Sequence, residues 1–216
     1  MTRLIRLSSV AFLLIAVGCG RTPKVVSATP TTICANEDST ITITGSDLSS
    51  SAKVQIGSAD TDMGTVPLVA AAMVSGSGSS LMAKFTANSL TPSDKPLDLV
   101  YTDSGKRIVL PGVITVVPGI SIAAVDPATV YNGVDFPTSV YGTGMGAVKM
   151  IQIATAGGAA VNLTGVNAVD NNRADAVVPM GTPPGVYDIT VVDQNGCTAT
   201  LAGALTITAD LTVSVC

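Results

Sequence analysis

Hydrophobic and polar residues alternate along many short segments of this chain. The clearest segments are Thr40-Ile41-Thr42-Ile43-Thr44, Asp98-Leu99-Val100-Tyr101-Thr102 and Asp188-Ile189-Thr190-Val191. A period of two places successive side chains on opposite faces of a strand, so each segment predicts a half-buried β-strand. No segment shows sustained helical periodicity with caps. The pattern therefore predicts an all-β protein.

Glycine, proline and small polar residues separate these strands and predict turns. The clusters are Gly45-Ser46-Asp47, Ser75-Gly76-Ser77-Gly78, Asp103-Ser104-Gly105, Pro183-Pro184-Gly185 and Gln194-Asn195-Gly196. The apolar run from Val66 to Val74 fits either a helical turn or a strand. It is either an exposed contact patch or part of a core, and we favour the core.

The two halves of the chain resemble each other in the same order of segments. An offset of 97 residues aligns Pro30 with Pro127 and Val54-Gln55-Ile56 with Ile151-Gln152-Ile153, and an offset of 91 aligns residues 112–116 with residues 203–207. A duplication explains this order. We predict about seven short strands in each of residues 24–118 and 119–209, the number typical of an immunoglobulin-like sandwich. Residues 210–216 align with the start of the second repeat, and we predict an extra strand or the start of a truncated third repeat there.

The order of motifs in each half resembles the IPT/TIG immunoglobulin-like repeat. The most complete copy of the pattern is residues 119–209, which contain Pro184-Gly185-Val186-Tyr187-Asp188-Ile189-Thr190-Val191. The copy at 24–118 has Lys95-Pro96-Leu97-Asp98 in that place. The resemblance implies two tandem β-sandwiches that serve as binding or spacer modules, and it carries no catalytic residue.

The amino-terminal segment resembles a bacterial lipoprotein signal peptide. Arg3 and Arg6 precede a short apolar stretch, and Ala16-Val17-Gly18-Cys19 resembles a lipobox. The resemblance implies cleavage after residue 18, attachment of diacylglycerol and palmitate to Cys19, and a tether over residues 19–23. We expect a cell-envelope protein, held by lipid at the outer membrane or cell surface.

Composition narrows the possible functions. The chain contains no histidine, which removes the commonest general base and zinc ligand. The 11 lysines and arginines face 15 acids, and the loss of Arg3 and Arg6 leaves a net charge of −6. Nucleic-acid binding needs a clustered basic surface, so we expect no nucleic-acid partner. We expect no enzyme, cofactor or resident metal.

Three cysteines remain after the anchor, in a compartment that favours disulfides. The repeat equivalent of Cys34 is Tyr131 and that of Cys197 is Lys106, so Cys34 and Cys197 do not belong to a cysteine pair that recurs within each repeat. In an immunoglobulin-like topology Cys34 lies at the lower end of the first domain and Cys197 at the upper end of the second. We therefore hypothesise a Cys34–Cys197 interdomain disulfide. The alternatives are free thiols or pairing with Cys216.

Other candidate sites have simpler explanations. We interpret Asp170-Asn171-Asn172 with Asp175 as a solvated turn rather than a calcium loop. Gly142-Thr143-Gly144-Met145-Gly146 is predicted as a β-turn rather than a phosphate loop. Tyr101, Tyr131, Tyr141 and Tyr187 could offer a sugar-stacking surface, but Tyr101, Tyr141 and Tyr187 fall on strands at alternating positions, which favours core packing. The leading hypothesis is a non-enzymatic adhesion, binding or spacer lipoprotein with an unknown protein or polysaccharide partner. The alternative is a carbohydrate-binding accessory module.

Overall fold

A computed structural model describes residues 22–59 and 66–209. The predicted signal peptide, Cys19, Cys216 and the predicted strand at 210–216 lie outside the described residues. Within the described ranges no helix is long and apolar enough to cross a membrane.

The first half of the chain forms two β-sheets. Strands β1, β3 and β6 form one sheet, and β2, β8, β7, β4 and β5 form the other in that order. The strands are β1 Lys24–Thr29, β2 Thr32–Cys34, β3 Ser39–Leu48, β4 Lys53–Gly57, β5 Val69–Ala70, β6 Met73–Phe85, β7 Leu97–Asp103 and β8 Lys106–Val117.

The second half repeats this arrangement. Strands β9, β11, β15 and β14 form one sheet, and β10, β17, β16, β12 and β13 form the other. The strands are β9 Ser121–Asp126, β10 Thr129–Tyr131, β11 Phe136–Thr143, β12 Val148–Ala154, β13 Val161–Asn162, β14 Thr164–Asp170, β15 Arg173–Val178, β16 Gly185–Asp193 and β17 Thr198–Thr208.

The matching strand orders show that the duplication seen in the sequence is a duplication of the fold. In both halves a short strand (β2 or β10) pairs in parallel with the last strand (β8 or β17). The first strand of each repeat is broken after a cis X-Pro bond at Pro30 or Pro127, and the chain then crosses to the opposite sheet. Proline has no amide hydrogen to donate to a ladder, so it suits this crossing point. The break gives more strands than the seven predicted from sequence.

Each pair of sheets encloses its own hydrophobic core. The first core includes Ile41, Ile43 and Ile56, which are fully buried. The second includes Ile151 and Ile153 in the same manner. The polar residues between them remain outside, as the period of two requires. The described residues thus form two tandem all-β sandwiches, as predicted.

Two predicted turns are wrong. Gly45-Ser46-Asp47 lies inside β3, where the pairing with β6 shifts between Thr44 and Leu48. Ser75–Gly78 lies inside β6, and its two glycines have positive φ angles. A Cβ on Gly45 would lie 1.9 Å from the Lys24 carbonyl oxygen, so glycine here permits close approach of β1. Glycine therefore marks strand irregularities at these places rather than reversals of the chain.

The run from Val66 to Val74 contains strand β5 and the start of β6 rather than a helical turn. Val66, Val69 and Val74 are partly buried and pack against the first core. The favoured assignment to the core is confirmed for these side chains. Met73, in the same run, is 57% exposed.

Candidate functional site at the domain junction and the distal end

The two domains are covalently joined by a Cys34–Cys197 disulfide, with sulfurs 2.08 Å apart. Cys34 ends β2 beside the end of β8, and Cys197 lies in the turn between β16 and β17. Asp193 shapes this turn, because its Oδ1 accepts hydrogen bonds from the Cys197 and Asn195 amides at 2.8 Å. The interdomain disulfide predicted from repeat equivalence is confirmed.

Two polar side chains of the first domain also contact the second. The Asn36 amide nitrogen donates to the Ile120 carbonyl at 2.9 Å. The Glu37 carboxylate accepts hydrogen bonds from the Thr198 amide and, at 3.0 Å, from the Thr198 hydroxyl. A Cβ on Gly119 would lie 2.0 Å from Asn36 Cγ, so glycine is required where the linker passes this side chain. The linker, the disulfide and these contacts together define the junction.

A shallow cleft of about 410 Å³ lies beside the junction. Its polar side chains are Asn36, Asn88, Thr91, Ser121 and Thr143, and prolines and aliphatic residues line the rest. No aromatic or ionisable side chain lines it. The cleft therefore offers hydrogen bonds to an uncharged polar ligand, but neither a sugar-stacking platform nor an acid–base pair.

Two loops joined by hydrogen bonds form the lower end of the first domain, where the junction contacts lie. The Asn88 amide donates to the Ala35 carbonyl at 2.6 Å, and the Ala87 amide donates to Asp38 Oδ1 at 3.0 Å. A hydrogen bond from the Lys84 ammonium lowers the pKa of Asp38, and the ion pair measures 2.7 Å. These two hydrogen-bonded loops form the surface, here called the platform, against which the second domain packs.

The same platform is present at the lower end of the second domain, here called the distal end (residues 131–135 and 179–182). The Gly181 amide donates to the Asn132 carbonyl at 2.8 Å, and the Met180 amide donates to Asp135 Oδ1 at 2.8 Å. Thr182 caps the second loop through the Pro179 carbonyl at 2.6 Å, as Ser89 does in the first domain. The two ends therefore have equivalent backbones.

The side chains at the two ends differ. Where the first domain has Cys34 and Glu37 in contact with its neighbour, the second has Tyr131 and Val134, which are 50% and 56% exposed. Met180 takes the place of Ala87 and is 64% exposed. The sequence alignment identified Tyr131 but missed Val134 and Met180. Extending the offset of 97 through the loop would have identified Val134.

The remaining tyrosines behave as core residues or lie between core and surface. Tyr101 is fully buried and Tyr187 is 4% exposed, whereas Tyr141 is half-buried. Burial raises the pKa of Tyr101, whose hydroxyl oxygen accepts a hydrogen bond from the Ser49 amide at 3.1 Å. The core interpretation is confirmed for Tyr101 and Tyr187.

The acidic cluster near residue 170 forms the hairpin turn between β14 and β15. Asp170 Oδ1 accepts the Asn172 amide at 2.7 Å. Asp175 is bound by the Arg173 guanidinium and the Ser139 hydroxyl, each at 2.7 Å, and these hydrogen bonds lower its pKa. Among the described residues no three acids, histidines or cysteines are grouped to hold a metal.

The glycine-rich segment 142–146 contains the end of β11 and the start of a single 3₁₀ turn, Met145–Ala147, rather than a β-turn alone. Gly144 is left-handed and leads into this turn. Met145 is fully buried in the second core. The segment is thus a structural corner of the second sandwich.

Comparison with known proteins agrees with this architecture. Residues 23–103 match the IPT/TIG domain family. The match falls on the first repeat, although the second carries the more complete motif. The matched residues run from the start of β1 to the end of β7 and so cover most of the first domain. No curated protein matches the chain by sequence.

Several solved structures are similar to both domains together, at low identity. The ten-domain extracellular region of plexin A4 is 15% identical with a TM-score of 0.39, over 83% of this chain and 16% of that one. The I67–I69 fragment of titin is 12% identical with a TM-score of 0.38, over 88% of this chain and 66% of that one. A Bacteroides ovatus protein, SGBP-B of a mixed-linkage glucan utilization locus, is 12% identical with a TM-score of 0.32, over 84% of this chain and 44% of that one. Its structure was solved with a mixed-linkage heptasaccharide.

Proposed function

We propose that this chain is a cell-envelope lipoprotein whose two domains form a non-enzymatic spacer and present the distal end to a protein partner. The observation that carries the proposal is the repeated platform. In the first domain it holds the β16–β17 turn of the second domain. In the second domain the equivalent backbone leaves Tyr131, Val134 and Met180 exposed.

The proposed partner is a protein that presents a β-hairpin turn, because that is what the equivalent platform binds within this chain. Aromatic residues and methionine are enriched where proteins meet, because they bury large area in a contact. Tyr131 and Met180 supply such groups. Single exposed apolar residues are common on protein surfaces. Tyr131, Val134 and Met180 differ from such residues because they lie on two loops that are joined by hydrogen bonds.

The junction suits a spacer. A disulfide and hydrogen bonds from two side chains fix the second domain against the first. The chain enters the first domain at the end opposite the junction, and the distal end lies beyond the junction. Lipid on Cys19 would therefore hold the protein at one end and leave the distal end farthest from the membrane.

A photo-cross-linking residue at Val134 tests the partner-binding surface in intact cells. We expect a discrete adduct to another protein that disappears in Met180→Ser, because that change removes a neighbouring contact. The matched control places the same cross-linker at Val26, which is 63% exposed on the first domain. Equal adducts from both positions, or an adduct unaffected by Met180→Ser, would contradict the proposal.

Mass spectrometry of the mature amino terminus tests the anchor. We expect an acylated Cys19, and we expect Cys19→Ser to release the protein from the membrane fraction. An unmodified Cys19 in a soluble product would remove the anchor from the proposal. It would leave the proposed contact at the distal end intact.

A polysaccharide partner is the second candidate, and the uncharged amide and hydroxyl groups of the junction cleft favour it. A glycan array probed with the mature chain should then give a signal that Asn88→Ala weakens. Absence of any glycan signal eliminates this candidate.

A further inference from the structure

Four basic side chains gather at the end of the first domain where the chain enters. Lys24 begins β1, Lys53 begins β4, and Lys106 and Arg107 begin β8. Lys53 and Arg107 both pair in register with Thr102, on either side of β7. These residues lie far apart in sequence, but the sandwich places them around one end. We call this group the basic collar.

All four collar side chains are exposed, and within the described ranges none forms an ion pair. Lys106 Nζ donates to the Thr22 hydroxyl at 3.3 Å, beside the entering chain, and Arg107 Nη2 donates to the Ala59 carbonyl at 3.5 Å. By contrast, Lys84 is paired with Asp38 and Arg173 with Asp175.

Within residues 22–59 and 66–209, two acids lie at the same end, and both are less exposed than the collar. Asp47 and Asp103 are half-buried. Asp103 lies opposite Lys106 in the ladder and accepts a hydrogen bond from the Ser104 hydroxyl at 3.3 Å. Among the described residues, the most exposed charges at this end are therefore positive.

The rest of the molecule has the opposite balance. Residues 119–209 contain six aspartates against Lys149 and Arg173, a net charge of −4. The protein thus carries an exposed positive group at the entering end and a negative excess in the second domain. This separation would orient the molecule at a negatively charged surface, because the two ends respond in opposite directions.

We propose that the basic collar binds the phosphate groups of anionic phospholipids at the membrane surface. This inference rests on the proposed lipid anchor, because a five-residue tether, at most about 17 Å long when extended, would keep the collar near the headgroups. Lysine and arginine near an anionic surface attract it within about a Debye length. The collar would hold the first domain upright and direct the distal end outward.

Vesicle flotation tests the collar with the full mature chain carrying Cys19→Ser, so that acyl chains do not contribute. The probes are vesicles of phosphatidylcholine alone and of phosphatidylcholine with phosphatidylglycerol. We expect binding only to the anionic vesicles, with loss at high salt. The double variant Lys53→Gln/Arg107→Gln should weaken binding by at least about tenfold, since each cation contributes roughly a fivefold factor.

The matched control is Lys95→Gln/Lys149→Gln, which removes the same charge from exposed positions outside the collar. Equal weakening by both double variants, or equal binding to both kinds of vesicle, would overturn the inference. An acylated Cys19 with no collar effect leaves the proposed anchor standing and refutes the collar alone. Collar-dependent binding together with an unacylated Cys19 would support the collar and refute the proposed anchor.

Discussion

Replacement of both Cys34 and Cys197 by serine removes the covalent link between the domains. The bridge spans 163 residues of sequence. When only one domain unfolds, the other still holds the bridge, and the loop closed in the unfolded domain is about 80 residues. The chain-entropy relation assigns about 4.5 kcal/mol to a loop of this length. Because the bridge restricts the unfolded chain of either domain, we expect both domains to lose stability when it is removed.

The expected loss is large relative to the 5–15 kcal/mol by which domains are usually stable. For domains of this size it corresponds to a fall in melting temperature on the order of 20 °C. Calorimetry of the oxidised chain and the double serine variant measures it directly. The reduced natural chain is the control, because it separates loss of the bond from loss of the cysteine side chains.

Small-angle scattering of the same samples tests the mechanical role of the bridge. We expect a broader distribution of interdomain distances without it, since Asn36 and Glu37 then hold the junction through hydrogen bonds alone. Melting temperatures that agree within about 2 °C with and without the bond would refute the entropic reasoning. An unchanged distance distribution would show that the noncovalent contacts suffice.

Two further predictions concern single residues. Gly142→Ala should destabilise the second domain by several kcal/mol in chemical denaturation, because its Cβ would lie 1.8 Å from the Ser121 carbonyl oxygen. Gly185→Ala, where the nearest atom is 3.5 Å away, should change stability little, and equal effects would contradict the packing argument. The raised pKa of Tyr101 favours the neutral phenol in the folded state. The contribution of Tyr101 to folding stability is therefore complete below pH 10 and is lost as pH rises through the folded pKa. The Tyr101→Phe variant should be less stable than the natural protein at neutral pH, because the Ser49 amide loses its acceptor. Its free energy of unfolding should fall less than that of the natural protein between pH 9 and pH 11. An identical alkaline loss in both proteins would exclude Tyr101 as its source.

The fold was predictable because its main signals are local or periodic. Alternation within a strand reports which face is buried, and the constant offset between repeats reports the duplication without any contact being known. The hairpin turns at Asp103-Ser104-Gly105 and Gln194-Asn195-Gly196 were identified for the same reason. The disulfide followed from the topology of the repeat, once neither cysteine had an equivalent in the other domain.

Turns were predicted wrongly where glycine allows two strands that are distant in sequence to pack closely. Gly45 lies within a strand because β1 passes against it, and Gly142 does the same opposite β9. Glycine is used both for turns and for close backbone approach, and composition alone does not separate the two uses. Only the pairing of distant strands shows which one applies.

The sequence by itself determined an all-β chain and its duplication, and it favoured Cys34–Cys197 as one of several possible cysteine pairings. These properties depend on short-range periodicity and on comparison of the chain with itself. The tertiary structure alone decided that Val134 and Met180 are exposed together at the distal end and that Lys24, Lys53 and Arg107 surround one end of the first domain. Surfaces of this kind are assembled from strand ends and loops that are remote in sequence, so their composition appears only when the sheets are in register.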